Sequence, residues 1–514
     1  MIVAVPTLAD LDSYDAVRAG FSWDRLWELF DGTPERLNLA HECLDRHRAR
    51  GAALSVAFAD GRLEEYAFGE LADASARFAR WLAARGVERG DRVAIVLDPG
   101  RAFYVALFGA MRRGAIAVPL FTLFGPDGLA LRVDDCRPRL LLVAGPPEPL
   151  KRQFPGLDVV SVDESFWAAL AAYEADFAPD TRAGDLALFQ YTSGTTRELP
   201  AAVRHTHRGV VTLMIAALYG IGLRPGDRYF CPSSPAWGHG LWHGTIAPLA
   251  LGVHAGAYSG RFDVARLLAA LETLRIDTFA AAATVFRMIR QSGLRPRYDL
   301  RLAKISFTGE AMDAATADWV ERELGAPACS MYGSTEVGVI LVNFPGLRGY
   351  RVKPGALGTA APGWEVAVID AAGRECPAGE TGEIAVRRKG EWFRVKDRGW
   401  RDADGHVFHA GRSDDVIISA GWTMSALEIE QTLLAHPAVV EAAVVGAPDP
   451  LRGQVVKAFI VACEAGDETA ASIQAFMKAR LSQHEYPRRI EFVAELPKTP
   501  AGKVNRKALR EQEA

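Results

Sequence analysis

The sequence contains no Cys-x-x-Cys pair. Its six cysteines, Cys43, Cys136, Cys231, Cys329, Cys376 and Cys463, stand singly, which excludes the common zinc-ligand spacings and a disulfide framework. That usage fits a reducing compartment, and a cytoplasmic protein is expected. No uncharged apolar run reaches the length of a membrane span. The first ten residues lack a basic segment and a long apolar core, so no signal peptide is predicted. The net charge of -4 gives no electrostatic case for nucleic acid. The phosphate-binding pattern G-x-x-x-x-G-K-[ST] is missing, as are internal repeats and low-complexity segments. What is present, at 514 residues with 49% hydrophobic and 24% charged, is the composition of a soluble globular enzyme long enough to bury large cores.

Strand-like and helix-like patterns alternate through the first three fifths of the chain. Apolar runs predict strands at 64–68, 91–97, 115–120, 140–144, 186–189, 228–231, 278–282 and 305–307. Helical periodicity is read over 37–50, 70–85, 102–113, 209–223 and 265–275. This alternation predicts an α/β domain built on parallel or mixed sheets flanked by helices. After about residue 355 the segments become short and punctuated by Gly and Pro, which predicts a small antiparallel or barrel-like unit. Ser425-Ala426-Leu427-Glu428 has the pattern of a capping box opening a helix that His436-Pro437 stops. Strands at 442–445, 455–461 and 490–493 with a helix at 470–481 complete a small α+β C-terminal unit. The domain boundary is placed at Asp414, giving 1–413 and 414–514.

Five polar stretches carry chemistry. Tyr191-Thr192-Ser193-Gly194-Thr195-Thr196 lies between a predicted strand and a predicted helix. Its hydroxyls and N–H groups can wrap an anion, and its glycine lets the backbone approach closely. Met331-Tyr332-Gly333-Ser334-Thr335-Glu336 sets an aromatic, hydroxyls and a carboxylate together. Phe393-Arg394-Val395-Lys396-Asp397-Arg398-Gly399 holds one acid among bases. Gly411-Arg412-Ser413-Asp414-Asp415 precedes Gly421, and Pro497-Lys498-Thr499-Pro500-Ala501-Gly502-Lys503 lies near the end.

In this order and at these separations, the stretches resemble the adenylate-forming superfamily of acyl-CoA synthetases, nonribosomal adenylation domains and firefly-type luciferases, over roughly residues 35–510. Within it, Pro119-Leu120-Phe121-Thr122-Leu123-Phe124-Gly125-Pro126 and Asp397-Arg398-Gly399-Trp400 are most similar to acetyl-CoA and medium-chain acyl-CoA synthetases. The resemblance implies a two-step reaction, in which a carboxylic acid and ATP give acyl-adenylate and pyrophosphate, and CoA then takes the acyl group and releases AMP. It implies that Thr192, Ser193, Gly194, Thr195 and Thr196 hold the β and γ phosphates, Thr335 the α-phosphate, and Glu336 a Mg²⁺ ion. Tyr332 would stack on adenine, with Gly309, Glu310 and Ala311 lining the base pocket. Asp397 would accept both ribose hydroxyls, Arg412 would lie by ribose or phosphate, and Lys503 would stabilise charge as the adenylate forms. The C-terminal unit would swivel about Asp414 and bring Gly421 to a CoA path. Trp237, His239 and Gly240 would line the acyl pocket.

Two departures from the family pattern stand out. The usual Gly-x-Pro-Lys after the hydroxyl loop is replaced by Arg197-Glu198-Leu199-Pro200-Ala201, so the lysine position is Ala201 and Arg197 or Arg204 is the candidate substitute. The segment between Val386 and Asp397 is trimmed. The leading expectation is an acyl-CoA synthetase for a small to medium acid, aliphatic or aromatic. The alternatives are an adenylation enzyme loading a carrier protein and a non-catalytic nucleotide sensor. The residues name neither the acid nor an oligomeric state.

Overall fold

The apolar runs between residues 92 and 190 become the buried strands of a six-stranded sheet. The structure is a computed structural model that describes residues 6–124, 126–191, 202–309, 312–334, 337–412, 416–419, 422–449, 453–481, 486–499 and 503–513. Arg92–Val96, Ile116–Pro119, Leu140–Val143, Asp158–Ser161 and Leu186–Gln190 pair in parallel, and Val203–Thr206 adds an antiparallel edge beside Leu186–Gln190. Alternate residues enter different cores. Val93 and Ile95 pack with the helices Phe68–Ala84 and Arg101–Arg113, whereas Ala94 packs with Leu129 and Val133 of the helix Pro126–Cys136. A strand covered on both faces must be apolar at every position, which is why these strands read as unbroken runs. The first two helices meet at Gly109, where a Cβ would sit 2.5 Å from Phe78 Cδ1.

A second sheet has thirteen strands. Ala52–Phe58, His254–Ser259, Arg228–Cys231, Thr278–Ala282, Lys304–Thr308 and Ala328–Ser334 are parallel neighbours in that order. At Ala328–Ser334 the pairing changes sense, because Gly338–Val342 runs antiparallel to it. The antiparallel strands Ala356–Ala360, Val407–Arg412, Glu391–Arg401, Gly382–Arg388 and Val366–Ile369 continue from there. The expected antiparallel unit therefore extends the larger sheet. The trimmed segment folds as a hairpin whose two-residue turn, Lys389-Gly390, has φ of 50° and 86°. That is the left-handed geometry favoured between twisted strands.

The C-terminal unit is α+β. Val439–Asp449, Gly453–Ala462 and Arg489–Phe492 form a three-stranded sheet, with the helices Ala426–Leu434, Asp467–Arg480 and Arg506–Glu511. It has its own apolar clusters around Ile429, Ile460 and Met477, and around Phe459 and Leu509. All six cysteines are free thiols. Among the described residues no helix is long and apolar enough to cross a membrane.

Three expectations need correction. Residues 37–50 do not form one helix: Leu39–Cys43 is helical, Leu44 turns the chain (φ −125°, ψ −59°), and a short 3-10 turn follows over Asp45–His47. The buried Glu42 draws this segment inward by accepting from the N–H groups of Asp31 and Gly32. The helix expected over 209–223 is α only at Gly209–Ile215 and continues as a π-helix over Ala216–Ile221. Two strands near one edge of the larger sheet, Ala52–Phe58 and His254–Ser259, are additional to those read from the sequence.

Candidate active site

In open α/β sheets, ligands bind beyond the carboxyl ends of parallel strands, at points where the connectivity or sense changes. Here those ends deliver the turn after Cys231, Gly309 after Thr308, and Tyr332 near the end of Ala328–Ser334. The antiparallel extension folds Asp397 onto Tyr332, whose hydroxyl donates to Asp397 Oδ2 at 2.5 Å. His409 Nε2 lies 3.9 Å from Asp397 Oδ1, and its ring centroid lies 6.3 Å from that of Tyr332. A bulge aims the carboxylate. Ala385 and Glu383, two positions apart, pair with Arg394 and Arg398, four positions apart, and Lys396 takes φ of 65° within that excess. Bulges and left-handed non-glycine residues re-aim side chains in this way. Arg412 is the register partner of Asp397 on the neighbouring strand.

Lys503 reaches the same place from the C-terminal unit. It sits beside the bridge between Lys498 and Val504, its carbonyl accepts from Thr499 N–H at 2.7 Å, and Asn505 caps the helix that follows. A methyl group on Gly309 would stand 3.7 Å from Lys503 Cε and 3.6 Å from Trp237 Cη2. Gly309 also has φ of 97°, a region that disfavours side chains. Gly309, Lys503 and Trp237 thus converge, although the sequence puts them in three separate motifs.

The hydroxyl loop is anchored at both flanks by one carboxylate. Tyr191 Oη donates to Asp135 Oδ2 at 2.6 Å, and Ala202 N–H donates to the same oxygen at 3.2 Å. Thr192, Ser193, Gly194, Thr195, Thr196 and Arg197 lie outside the described residues, as do Glu310, Ala311, Thr335, Glu336, Asp414 and Gly421. Arg204, the other candidate for the absent lysine, holds its guanidinium over the Phe189 ring at 5.3 Å.

The expected acyl pocket begins at a turn after Arg228–Cys231. Ser234 accepts from Trp237 N–H at 3.0 Å, and a π-helix then runs over His239–Ile246. Such wide turns are rare and recur at functional sites. Trp242 donates its indole N–H to Gln190 Oε1 at 2.9 Å. Gln190 ends the strand Leu186–Gln190, so this contact ties the π-helix to the end of that strand. His239 Nδ1 is 2.9 Å from Ser233 Oγ, and burial depresses its pKa to about 3.

Gly240 contributes by having no side chain. A Cβ there would lie 2.2 Å from the carbonyl oxygens of both Ser233 and Ser234. Backbone cannot swing aside as a side chain can, so Gly240→Ala is expected to cost about 3 kcal/mol or more, at the upper end of overpacking penalties. A thermal melt reads this; an unchanged melting temperature would show that the turn yields.

Asp135, Gln190 and His205 are positions that motif reading passed over. Asp135 stands beside Asp134 and His205 lies within the polar run Arg204-His205-Thr206-His207-Arg208, so neither stood out, and the visible signal was Gln190 ending an otherwise apolar strand.

Comparisons with known proteins give the chain's family. The model of the AMP-binding enzyme family matches residues 45–391, and that of the AMP-binding enzyme C-terminal domain matches residues 428–503. The chain is 30% identical to the acetyl-coenzyme A synthetase of Bacillus subtilis (strain 168), over 98% of this chain and 95% of that protein. It is 30% identical to the mitochondrial acyl-coenzyme A synthetase ACSM3 of Rattus norvegicus, over 93% and 91% respectively. Among solved structures it is similar to the Brucella canis acyl-CoA synthetase, with a TM-score of 0.76, 34% identity and coverage of 98% and 99%. It is also similar to the anthranilate CoA ligase AuaEII in complex with anthranoyl-AMP, with a TM-score of 0.85, 27% identity and coverage of 94% and 98%. Fold and site together define an adenylate-forming ligase. The chain belongs to the AMP-binding enzyme family, as an AMP-forming acid–CoA ligase.

Proposed function

We propose that this chain activates a small to medium carboxylic acid, aliphatic or aromatic, with the residue roles that follow. The acid's carboxylate oxygen attacks the α-phosphorus of ATP and pyrophosphate leaves. The CoA thiol then attacks the acyl carbon, AMP leaves, and the thiol proton passes to solvent. The observation that carries the reading is the convergence of Lys503, Gly309 and Trp237. Two anions must meet in the first step, and the Lys503 ammonium offsets their repulsion. Trp237 walls the acid against Gly309, and Tyr332 offers a ring face for the base beside Asp397 for the ribose.

The Thr192–Thr196 hydroxyls, Thr335 and Arg412 are proposed around the phosphates. Glu336 would hold a Mg²⁺ ion there, which when bound would supply charge neutralisation. Among the described residues no group of three or more His, Cys, Asp or Glu could hold a metal. The proposed domains are 1–413 and 414–514, hinged at Asp414, with Gly421 on the CoA path. The separate C-terminal cores support this division. Cytoplasmic residence is part of the proposal and rests on the six free thiols. The relatives are CoA ligases, which does not favour carrier loading or a sensor role.

ATP–pyrophosphate exchange driven by a panel of acids, followed by thioester formation with free CoA, tests the reading. Exchange without thioester would point to a different acyl acceptor. Asp397→Ala is expected to raise the ATP KM about tenfold or more, since it removes a ground-state contact. Unchanged ATP kinetics would take Asp397 out of the ribose site.

A further inference from the structure

Three buried imidazole nitrogens in the acyl wall, His239 Nε2, His243 Nδ1 and His205 Nε2, have no hydrogen-bond partner among the described residues. They come from two elements. His239 and His243 lie one turn apart on the π-helix, with ring centroids 5.7 Å from each other, and His239 also faces Trp237 at 5.5 Å. His205, on the edge strand Val203–Thr206, stands edge-on to Trp242 at 4.8 Å. His239 is 4% exposed, and its one partnered nitrogen is Nδ1, toward Ser233.

Buried polar atoms in native proteins are nearly always paired, so a cluster of exceptions marks a missing partner. Burial holds all three rings below the ordinary histidine range, at about 3 for His239 and about 4 for His243 and His205. At neutral pH each ring is therefore uncharged, with one N–H donor and one acceptor nitrogen. A neutral imidazole offers no positive charge to a second carboxylate, but it exchanges hydrogen bonds with a hydroxyl, amine or carbonyl. The rings do not form a metal site, since no cluster of the described residues could hold an ion. A pocket for a plain hydrocarbon tail would need no polar atoms there.

We infer that the acid activated by this enzyme carries a neutral hydrogen-bonding substituent, a hydroxyl, amino or carbonyl group, and that His239, His243 and His205 read it. This rests on the acid–CoA ligase reading and adds the substrate's chemistry to it. A site built to hydrogen-bond a substrate group rejects the analogue that lacks it far more strongly than it rejects a missing methylene.

The test uses matched acids in ATP–pyrophosphate exchange. These are benzoate against its ortho, meta and para hydroxy and amino derivatives, and hexanoate against its hydroxy and keto derivatives. At least one polar acid is expected to exceed its plain counterpart about tenfold or more in kcat/KM. His239→Phe and His243→Phe, each checked for folding by a thermal melt, are expected to lower the polar-to-plain ratio of kcat/KM about tenfold or more, whatever happens to the absolute rates. Plain acids equal to or better than every polar partner in the wild type would overturn the inference. So would a polar preference that survives in both folded variants. If neither variant folds, His205→Phe and the wild-type panel decide by the same criteria. Exchange with no acid at all would sink the ligase reading itself, whereas exchange with plain acids only would sink this inference alone.

Discussion

Lys503→Ala is expected to slow acyl-adenylate formation by a factor of about 10²–10³ and to leave thioester formation from supplied acyl-adenylate nearly unchanged. The lysine stem is set by its own unit, through the Lys498–Val504 bridge and the capped helix behind it. Its Cε meets the N-terminal domain at Gly309, on the acid side of the proposed nucleotide site. In the first half-reaction a carboxylate approaches a polyphosphate, and one fixed positive charge lowers the barrier there. In the second, a thiol attacks an acyl carbon whose leaving group is already a single phosphate ester, and that demand is gone. Gly421→Leu should give the opposite pattern, by obstructing the CoA path. Rapid quench of each half-reaction separates the steps. Equal slowing of both half-reactions by Lys503→Ala would show that the lysine supports the fold or a shared step.

The second large effect is acid lability. Four histidines, His47, His207, His239 and His254, are each no more than 9% exposed, and burial depresses their pKa to about 4, or about 3 for His239. Geometry explains why protonation is resisted. His207 Nδ1 accepts from Leu39 N–H at 3.1 Å, so a proton on it would break that bond. His254 Nε2 is paired with Ser55 Oγ at 2.8 Å, while its Nδ1 has no partner among the described residues. For a depressed histidine the unfolded chain binds the proton first, so stability is full above pH ~6.5 and falls as pH drops toward the folded pKa. At pH 5 each group forfeits about 2 kcal/mol, and four together about 8 kcal/mol, comparable to the whole stability of a typical domain. His41 opposes this. Its pKa is raised, chiefly by its hydrogen bond to Asp45, so its contribution is full below pH ~6.5 and is lost as pH rises. One such group offsets only part of the loss. Melts at pH 7.5 and 5.0 should differ by about 10 °C or more, and His254→Gln should shift the acid midpoint downward. Equal melting temperatures at the two pH values would refute the assignment.

Much of this molecule was legible because its buried strands are apolar and sharply bounded. Arg228–Cys231 and Thr278–Ala282 begin and end where the residues predict. Ala52–Phe58 and His254–Ser259 were not legible, because Ala and Ser in the first, and Ala, Gly and Ser in the second, make up most of their residues and dilute the strand signal of Leu54, Val56, Phe58 and Tyr258. Gly256 shows why small residues stand there: a Cβ on it would lie 2.1 Å from Phe230 Cδ2, on the neighbouring strand. The misread stretch at 37–50 has helical charge patterning, and the tertiary demand of buried Glu42 overrides it. In the candidate site, the motifs located Tyr332 and Asp397, whose contact is a hydrogen bond. The meeting of Lys503 with Trp237 across Gly309 depends on how two units pack, which no local pattern encodes. His205 was hidden inside the polar run Arg204-His205-Thr206-His207-Arg208, and Gln190 showed only as the polar end of an apolar strand, so the partners of both had to come from the fold.

The glycine at 309 has a further consequence, for how such an enzyme can diversify. The proposed acid-facing wall is drawn from the turn and π-helix that follow Cys231, while the proposed nucleotide side is drawn from Tyr332 and the bulge at Asp397. At Gly309, where the acid-facing wall meets Lys503, there is no side chain to remodel. On the proposed assignment, replacements at Trp237, His239 or His243 would alter which acid is accepted and leave the proposed nucleotide side in place. Lineages of this chain would be free to drift in acid preference while the adenylating half of the machinery stays fixed, and the same partition makes the wall the natural target for directed evolution.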